Sequence, residues 1–355
     1  NIQDNTLELY NTDLETSFKS KISCASSSPG QCVVPFKNFD NVVACTDTDT
    51  LEIELIENKK MIKSSHHPQN PDGTTDFGTS VETEEEVITY QCRFDKVKLN
   101  CLPLDEYPQC PDFAGSTIIK NLDFNLFKTA LSKVNDFYST DEGRPILTGV
   151  MLDFPANNIV ATNSYDLAVH SFQFGSDTEK IVIPGALYSV LKLLKADKFT
   201  LAIKENQIFF FVNNQMIISR ILSGKFPDYE KLIPINFSCT YQFKSDELIK
   251  VIDKAVKVLK PDDNIPVKLT FNQTNIEVTL DVRDTGNYAD TIPSATIHAT
   301  DDEICTIGFN PAYLKDCIKH FKDPKIGISE PLKPVIFYDD ENQYRTLLMP
   351  IRITS

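Results

Sequence analysis

The sequence has no glycine-rich phosphate loop, no GxSxG and no HExxH, and only five histidines in 355 residues. Nucleotide hydrolases of the P-loop type, serine hydrolases with a nucleophile elbow and helical zinc peptidases each need one of these arrangements, so those classes are excluded. No apolar run approaches the ~18 residues of a membrane helix, and no signal peptide is visible. The nine cysteines include no CxxC pair and sit at mixed, mostly wide spacings. An odd count without a framework reads as reduced thiols in a cytoplasmic protein, with no disulfide, metal or cofactor expected. Positive charge is scarce: 35 Lys and Arg against 50 Asp and Glu leave a net charge of −15. At first sight that argues against nucleic acid, but net charge speaks to solubility and nonspecific binding, not to where the charges sit. The 41% hydrophobic and 24% charged fractions are ordinary for a globular chain.

What is present is a repeat. Residues 181–195, IVIPGALYSVLKLLK, join a β-branched run, a proline and a helix-period apolar pattern. Similar units occur at 33–44, VVPFKNFDNVVA, and at 307–321, IGFNPAYLKDCIKHF, where Asn310 is a natural N-cap and Pro311 the first helical residue. Thr12 and Thr162 are 150 positions apart and Pro35 and Pro184 are 149 apart, so two landmarks share one offset. A second helix type, at 124–134 and 245–260, precedes this unit in the second and third copies. The first copy has no counterpart and no initiator methionine, so roughly 30–40 residues are expected to be missing before it. It also carries about 30 extra residues, assigned to the polar stretch 63–86 with its His66-His67 pair, which reads as a solvated loop. Three copies follow: 1–115, 116–236 and 237–355. Helices mixed with antiparallel strands make the class α+β.

Charge placement is informative in the third copy. At 100° per residue Lys250, Lys254 and Lys257 fall within about 60° of one another, opposite Leu248, Ile252, Ala255, Val256 and Leu259. Lys315, Lys319 and Lys322 repeat that spacing in the next helix, and Lys192 and Lys195 do something weaker in copy two. Lysines without interleaved aromatics suit phosphate contact without base readout. Asp301-Asp302 and Asp339-Asp340 read as turn residues. The tail TLLMPIRI (346–353) reads as a last strand completing the sheet of copy three.

The stretches GRPILTGVMLDF (143–154), ATNSYDLAV (161–169), IVIPGALYSVLKLL (181–194), LSGKFPDYEKLIP (222–234), IGFNPAYLKD (307–316) and LLMPIRI (347–353) resemble the bacterial DNA polymerase III beta subunit, the sliding clamp. The GRP-x-LTGV stretch is most similar to clamps of the Bacteroidetes type or their phages. The resemblance implies three clamp domains per chain and a ring of two head-to-tail chains. Val97 and Leu99 of one chain would meet Val258 and Leu259 of the other along a sheet edge. Helices would line a DNA-sized hole, with Arg144 joining the lysines above as contacts to duplex DNA of any sequence. Polymerase and clamp-loader subunits would dock short linear peptides in an apolar pocket walled by Leu147, Thr162, Leu167, Pro227, Leu232, Tyr313, Leu347, Met349, Pro350 and Arg352. No catalysis, membrane or cofactor is implied, and the location is the cytoplasm, at the nucleoid. Tyr165-Asp166 stand where the family has a histidine and a basic residue, so the pocket rim is expected to be less basic. A clamp-like peptide hub that does not encircle DNA is the alternative.

Overall fold

The computed structural model describes residues 1–66, 81–262, 265–299, 305–341 and 343–353, with 60–66 and 81–88 described as backbone only. The His67 and Asp301-Asp302 expectations lie outside the described residues, as does the His66 side chain. The chain divides into two compact units: 1–112 with 214–217, and 113–213 with 218–355.

In the first unit the strands Thr6–Thr12 and Thr16–Ser23 form a hairpin. Its turn is set by Asp13, whose Oδ1 accepts from Glu15 N at 3.0 Å and Thr16 N at 2.7 Å, the local bonding for which turns favour Asp. The helix Phe36–Ala44 begins after Pro35, which is the N-cap with ψ 123° and not the first helical residue. Strands Ile53–His66, Val81–Phe94 and Val97–Asn100 follow in that order across one antiparallel sheet. Their pairing runs to His66↔Val81, so backbone hydrogen bonding carries the ribbon into the stretch expected to be loop. Residues 67–80 lie outside the described set.

In the second unit the strand Thr117–Asp123 leads into the helix Phe124–Val134. Asp123 caps that helix, accepting from Leu126 N at 3.0 Å. Phe124, Phe127, Ala130, Leu131 and Val134 recur at helical spacing and are all buried. Twelve antiparallel strands form one sheet. Copy two supplies Ile181–Pro184, Gly149–Asp153, Asn158–Thr162 and Asp166–Ser171, in spatial order. Copy three continues with Tyr344–Leu348, Val335–Tyr338, Lys325–Ile328, Cys239–Phe243, Gly286–Ala299, Asn275–Val282, Val267–Phe271 and Cys305–Phe309. The last strand therefore does more than complete copy three: it pairs with Asp166–Ser171 on one side (Leu167↔Leu347) and with Val335–Tyr338 on the other (Ile336↔Leu347). An edge strand left unpaired is a liability, and here each copy caps the other's.

Two helical expectations are corrected. Over 181–195 only Leu187–Leu191 is α-helical, and Pro184 closes a strand. Gly185 lies between the strand and the helix, packed so tightly on Tyr138 that a Cβ would meet the ring at 2.4 Å. Lys192 is the C-cap of this short helix and Lys195 lies beyond it. Leu147 lies in a 3-10 turn, Pro145–Thr148, ahead of the strand that begins at Gly149. The helix Pro311–Ile318 opens as expected, Asn310 Oδ1 accepting from Ala312 N at 2.9 Å, but ends before Lys319, so Lys322 is off the helix.

Candidate functional site

Two surfaces of the second unit carry the residues singled out by sequence. The first is the helix Ser245–Leu259. Its first turn holds Asp246 and Glu247 and its last turn Lys257, the arrangement that suits the helix dipole. Leu248, Val251, Ile252, Ala255 and Leu259 are buried, and Ala255 and Leu259 pack with Leu280. Lys250, Lys254 and Lys257 are exposed on the other side and make no ion pair among the described residues. Holding three unneutralised ammonium groups on one face costs little in water and attracts phosphates.

The lysines of the next helix differ. Lys315 Nζ is 2.8 Å from Asp253, and Lys319 Nζ bridges Asp136 at 2.6 Å and Asp316 at 2.8 Å. Burial pulls the Lys319 ammonium down, but its bonds to the two carboxylates outweigh this and raise it. Lys319 thus ties copy three to copy two through Asp136. Arg144 is exposed, and its Nη1 donates to Ser164 Oγ at 3.0 Å. Leu259, expected at the dimer edge, is corrected to a core residue at 6% exposure, whereas Val258 is 65% exposed. In the first unit Val97–Asn100 is an edge strand of its sheet, with Val97 exposed and Leu99 half-buried.

The second surface is the apolar side of the sheet where the copies meet. Leu167 and Leu347, paired in register, join Met151, Val160, Val169, Val182, Tyr229 and Ile336 in one buried cluster. Ile146, Leu222, Phe226 and Ile233 pack against it half-buried. The 226–233 segment is fastened by a buried polar knot. Tyr229 OH donates to Asp153 Oδ2 at 2.8 Å, Asn158 Nδ2 donates to Tyr229 OH at 3.1 Å, and Lys180 Nζ reaches the same Asp153 oxygen at 2.8 Å. Held this way, the 3-10 turn Tyr229–Leu232 leaves Leu232 47% exposed beside the half-buried Pro227. Thr162 is buried and structural: its Oγ1 donates to Asp166 O at 2.6 Å and closes the turn before Leu167.

At the end of the last strand Met349 N donates to Tyr165 O at 2.8 Å, and Met349 itself is 43% exposed. Tyr165 stacks on Tyr313, ring centroids 5.7 Å apart and planes 11° apart. Pro350 is half-buried and Arg352 exposed, flanking Ile351, whose N–H donates to Gly308 O at 2.8 Å. Leu147 is buried. Tyr229, Phe226 and Ile146 were missed as site residues, whereas Tyr165 was expected at the rim. Phe226 and Tyr229 sit beside the chosen Pro227, where the aromatic run FPDY was a usable signal.

Asp166 is not on the rim. Strand alternation turns Leu167 to the apolar cluster and Asp166 to the opposite face, where it is 3% exposed. Neither carboxylate oxygen has a hydrogen-bond partner among the described residues. Burial, then the charge of Asp316, pushes its carboxyl up to about 8, against weaker opposing pulls from Asn163 and Lys319. Burial acts in the opposite direction on His170 and His320, lowering both. Among the described residues no group of three or more His, Cys, Asp or Glu is arranged to hold a metal ion.

Family models of the DNA polymerase III beta subunit match most of the chain: the N-terminal domain at 1–111, the central domain at 121–228 and the C-terminal domain at 230–352. The Beta sliding clamp of Staphylococcus epidermidis is 27% identical over 264 residues, 72% of this chain and 69% of the relative. That of Staphylococcus aureus is 26% identical over the same shares. The DNA polymerase sliding clamp from Bacillus subtilis superposes with a TM-score of 0.80 at 23% identity, covering 99% of this chain and 90% of that one. The Thermotoga maritima DNA polymerase III beta subunit gives 0.80 at 18% identity over 99% and 90%.

Proposed function

The chain belongs to the DNA polymerase III beta-subunit family and functions as a DNA sliding clamp, and we propose that it works as a non-enzymatic cytoplasmic ring of two head-to-tail chains. In this reading its three domains span about 1–115, 116–236 and 237–355. The observation that carries the DNA contact is the helix Ser245–Leu259, which puts its apolar residues in the core and Lys250, Lys254 and Lys257 in water without acidic partners among the described residues. Lys192, Lys195, Lys322 and Arg144 are secondary contacts. Weak phosphate contacts hold no sequence and permit sliding, so retention comes from ring closure. Dimerisation joins the Val97–Asn100 edge, through Val97 and Leu99, to the surface carrying Val258 of the partner chain. The complete chain, including any residues preceding Asn1, loaded on closed circular DNA by its loader, is expected to survive a high-salt wash and to be released when the circle is cut. Equal loss from circular and linear DNA would instead favour a peptide-binding hub that does not encircle DNA.

Partner peptides from polymerase and clamp-loader subunits are proposed to dock against the Leu167–Leu347 cluster, where Leu232 and Met349 are exposed and Tyr165–Tyr313 form one border. Preformed apolar clefts capture short peptides in this way. Two buried apolar side chains supply about 3–6 kcal/mol before ordering costs. Leu232→Ala and Met349→Ala are each expected to weaken a glutamine- and leucine-containing peptide about tenfold by calorimetry, since such a truncation removes ~1.4 kcal/mol or more. Unchanged affinity in both variants would place the docking site elsewhere.

A further inference from the structure

Three thiols far apart in sequence converge in the first unit. Cys92 lies opposite Leu99 in the pairing of Val81–Phe94 with Val97–Asn100. Cys101 N donates to Tyr90 O at 2.9 Å, which sets Cys101 opposite Tyr90. Tyr90 and Cys92 share a strand face, so Cys92 and Cys101 are diagonal neighbours on it. Cys32 arrives from the segment after Thr16–Ser23, positioned by the bridge between Val33 and Leu102, whose N–H donates to Val33 O at 2.8 Å. Its Sγ lies 3.7 Å from that of Cys92, and Cys101 is near enough for the two thiols to influence each other's ionisation. Exposure divides the roles: Cys32 is partly accessible, whereas Cys92 is 1% exposed. The Cys92 hydrogen bond, against the opposing effect of burial, brings the Cys32 thiol down to about 6. Burial holds Cys101 up at about 11. A thiolate that solvent can reach, with a buried thiol behind it, is the arrangement of a peroxide-reactive cysteine and its resolving partner.

We propose that Cys32 and Cys92 form a reversible disulfide driven by hydrogen peroxide, with Cys101 as the alternate partner. The Cys32 thiolate attacks one peroxide oxygen, the O–O bond breaks, and hydroxide leaves to give the sulfenic acid. Cys92 sulfur then attacks Cys32 sulfur; the S–O bond breaks, and the departing hydroxide leaves with the Cys92 proton as water. The two thiols lose two electrons in all, and peroxide, with the protons released, becomes two waters. Added dithiol reverses the bond by exchange. The cross-link would fasten the entry to the Phe36–Ala44 helix onto the strand that pairs with the Val97–Asn100 edge.

The test uses the full chain in dilute hydrogen peroxide, followed by alkylation of remaining thiols, non-reducing proteolysis and mass spectrometry. The expected product is a Cys32–Cys92 linked peptide about 2 Da lighter than its two reduced halves together, lost on adding dithiothreitol. Cys92→Ser is expected to move the link to Cys32–Cys101, and Cys32→Ser to abolish both. Alkylation of Cys32 and Cys92 at the rate of the other cysteines after peroxide treatment would overturn the proposal. So would a cross-link that forms only in chain unfolded beforehand by denaturant, a result the wild-type protein gives without any variant.

Discussion

Replacing Lys250, Lys254 and Lys257 together by glutamate is expected to weaken DNA association about a hundredfold near 0.15 M salt. Each lysine that neutralises one phosphate contributes about 0.9 to the slope of log affinity against log salt, so three lost contacts flatten the slope by about 2.7 units. The fold should survive, because all three side chains are exposed while the opposite face of the helix keeps its core contacts. The same charge change at the exposed Lys120, Lys225 and Lys333 is expected to alter affinity far less. A salt titration of binding separates the outcomes: equal effects of the two triple variants would reduce the stripe to a solvated helix face.

The second large effect belongs to Asp166. Its carboxyl, held near 8 by burial and Asp316, has an unfolded value of ~3.9. Between those values the folded state holds a proton that the unfolded state releases. This contribution to stability is therefore greatest below about pH 4, falls by up to ~1.4 kcal/mol per unit as pH rises, and levels above about pH 8. Around it stand Asp316, Cys317 and Lys319 on the Pro311–Ile318 helix and its cap, Asn163 on its own turn, and Asp136, reached through Lys319. Asp166→Asn removes the ionisation while keeping the shape. The variant is expected to exceed the wild type in stability by several kcal/mol at pH 8, on the order set by linkage, and to converge with it only below about pH 4. Urea unfolding across that range checks the slope; parallel curves for the two proteins would mean that Asp166 does not titrate there.

What could be read from the chain alone was local. Asn310 and Pro311 announced a helix start, because cap chemistry acts within a few positions. The helix over 181–195 was overestimated because the apolar period runs on past Leu191 while the helix stops there. Lys319 looked like a member of a stripe since its partner Asp136 is remote in sequence and local spacing cannot see it. Leu259 was assigned to two places at once, and burial decides for the core. The apolar site was legible as six stretches in order only through resemblance; that Leu167 and Leu347 pair directly is a matter of sheet register. The thiol trio had no signal at all, its members being related by strand pairing and not by spacing.

The Tyr344–Leu348 strand also sets a clock. Its partner on the copy-two side is separated from it by 180 positions, Leu167 against Leu347. At the 5–20 residues per second of a working ribosome, the Asp166–Ser171 strand is made roughly 9–36 s before the strand that covers it. Through that interval the nascent chain presents a bare strand edge flanked by Val160, Leu167 and Val169. Copy two must therefore wait, half-sheltered, for the end of copy three, and whatever guards that edge during synthesis governs how much of the chain reaches its final state.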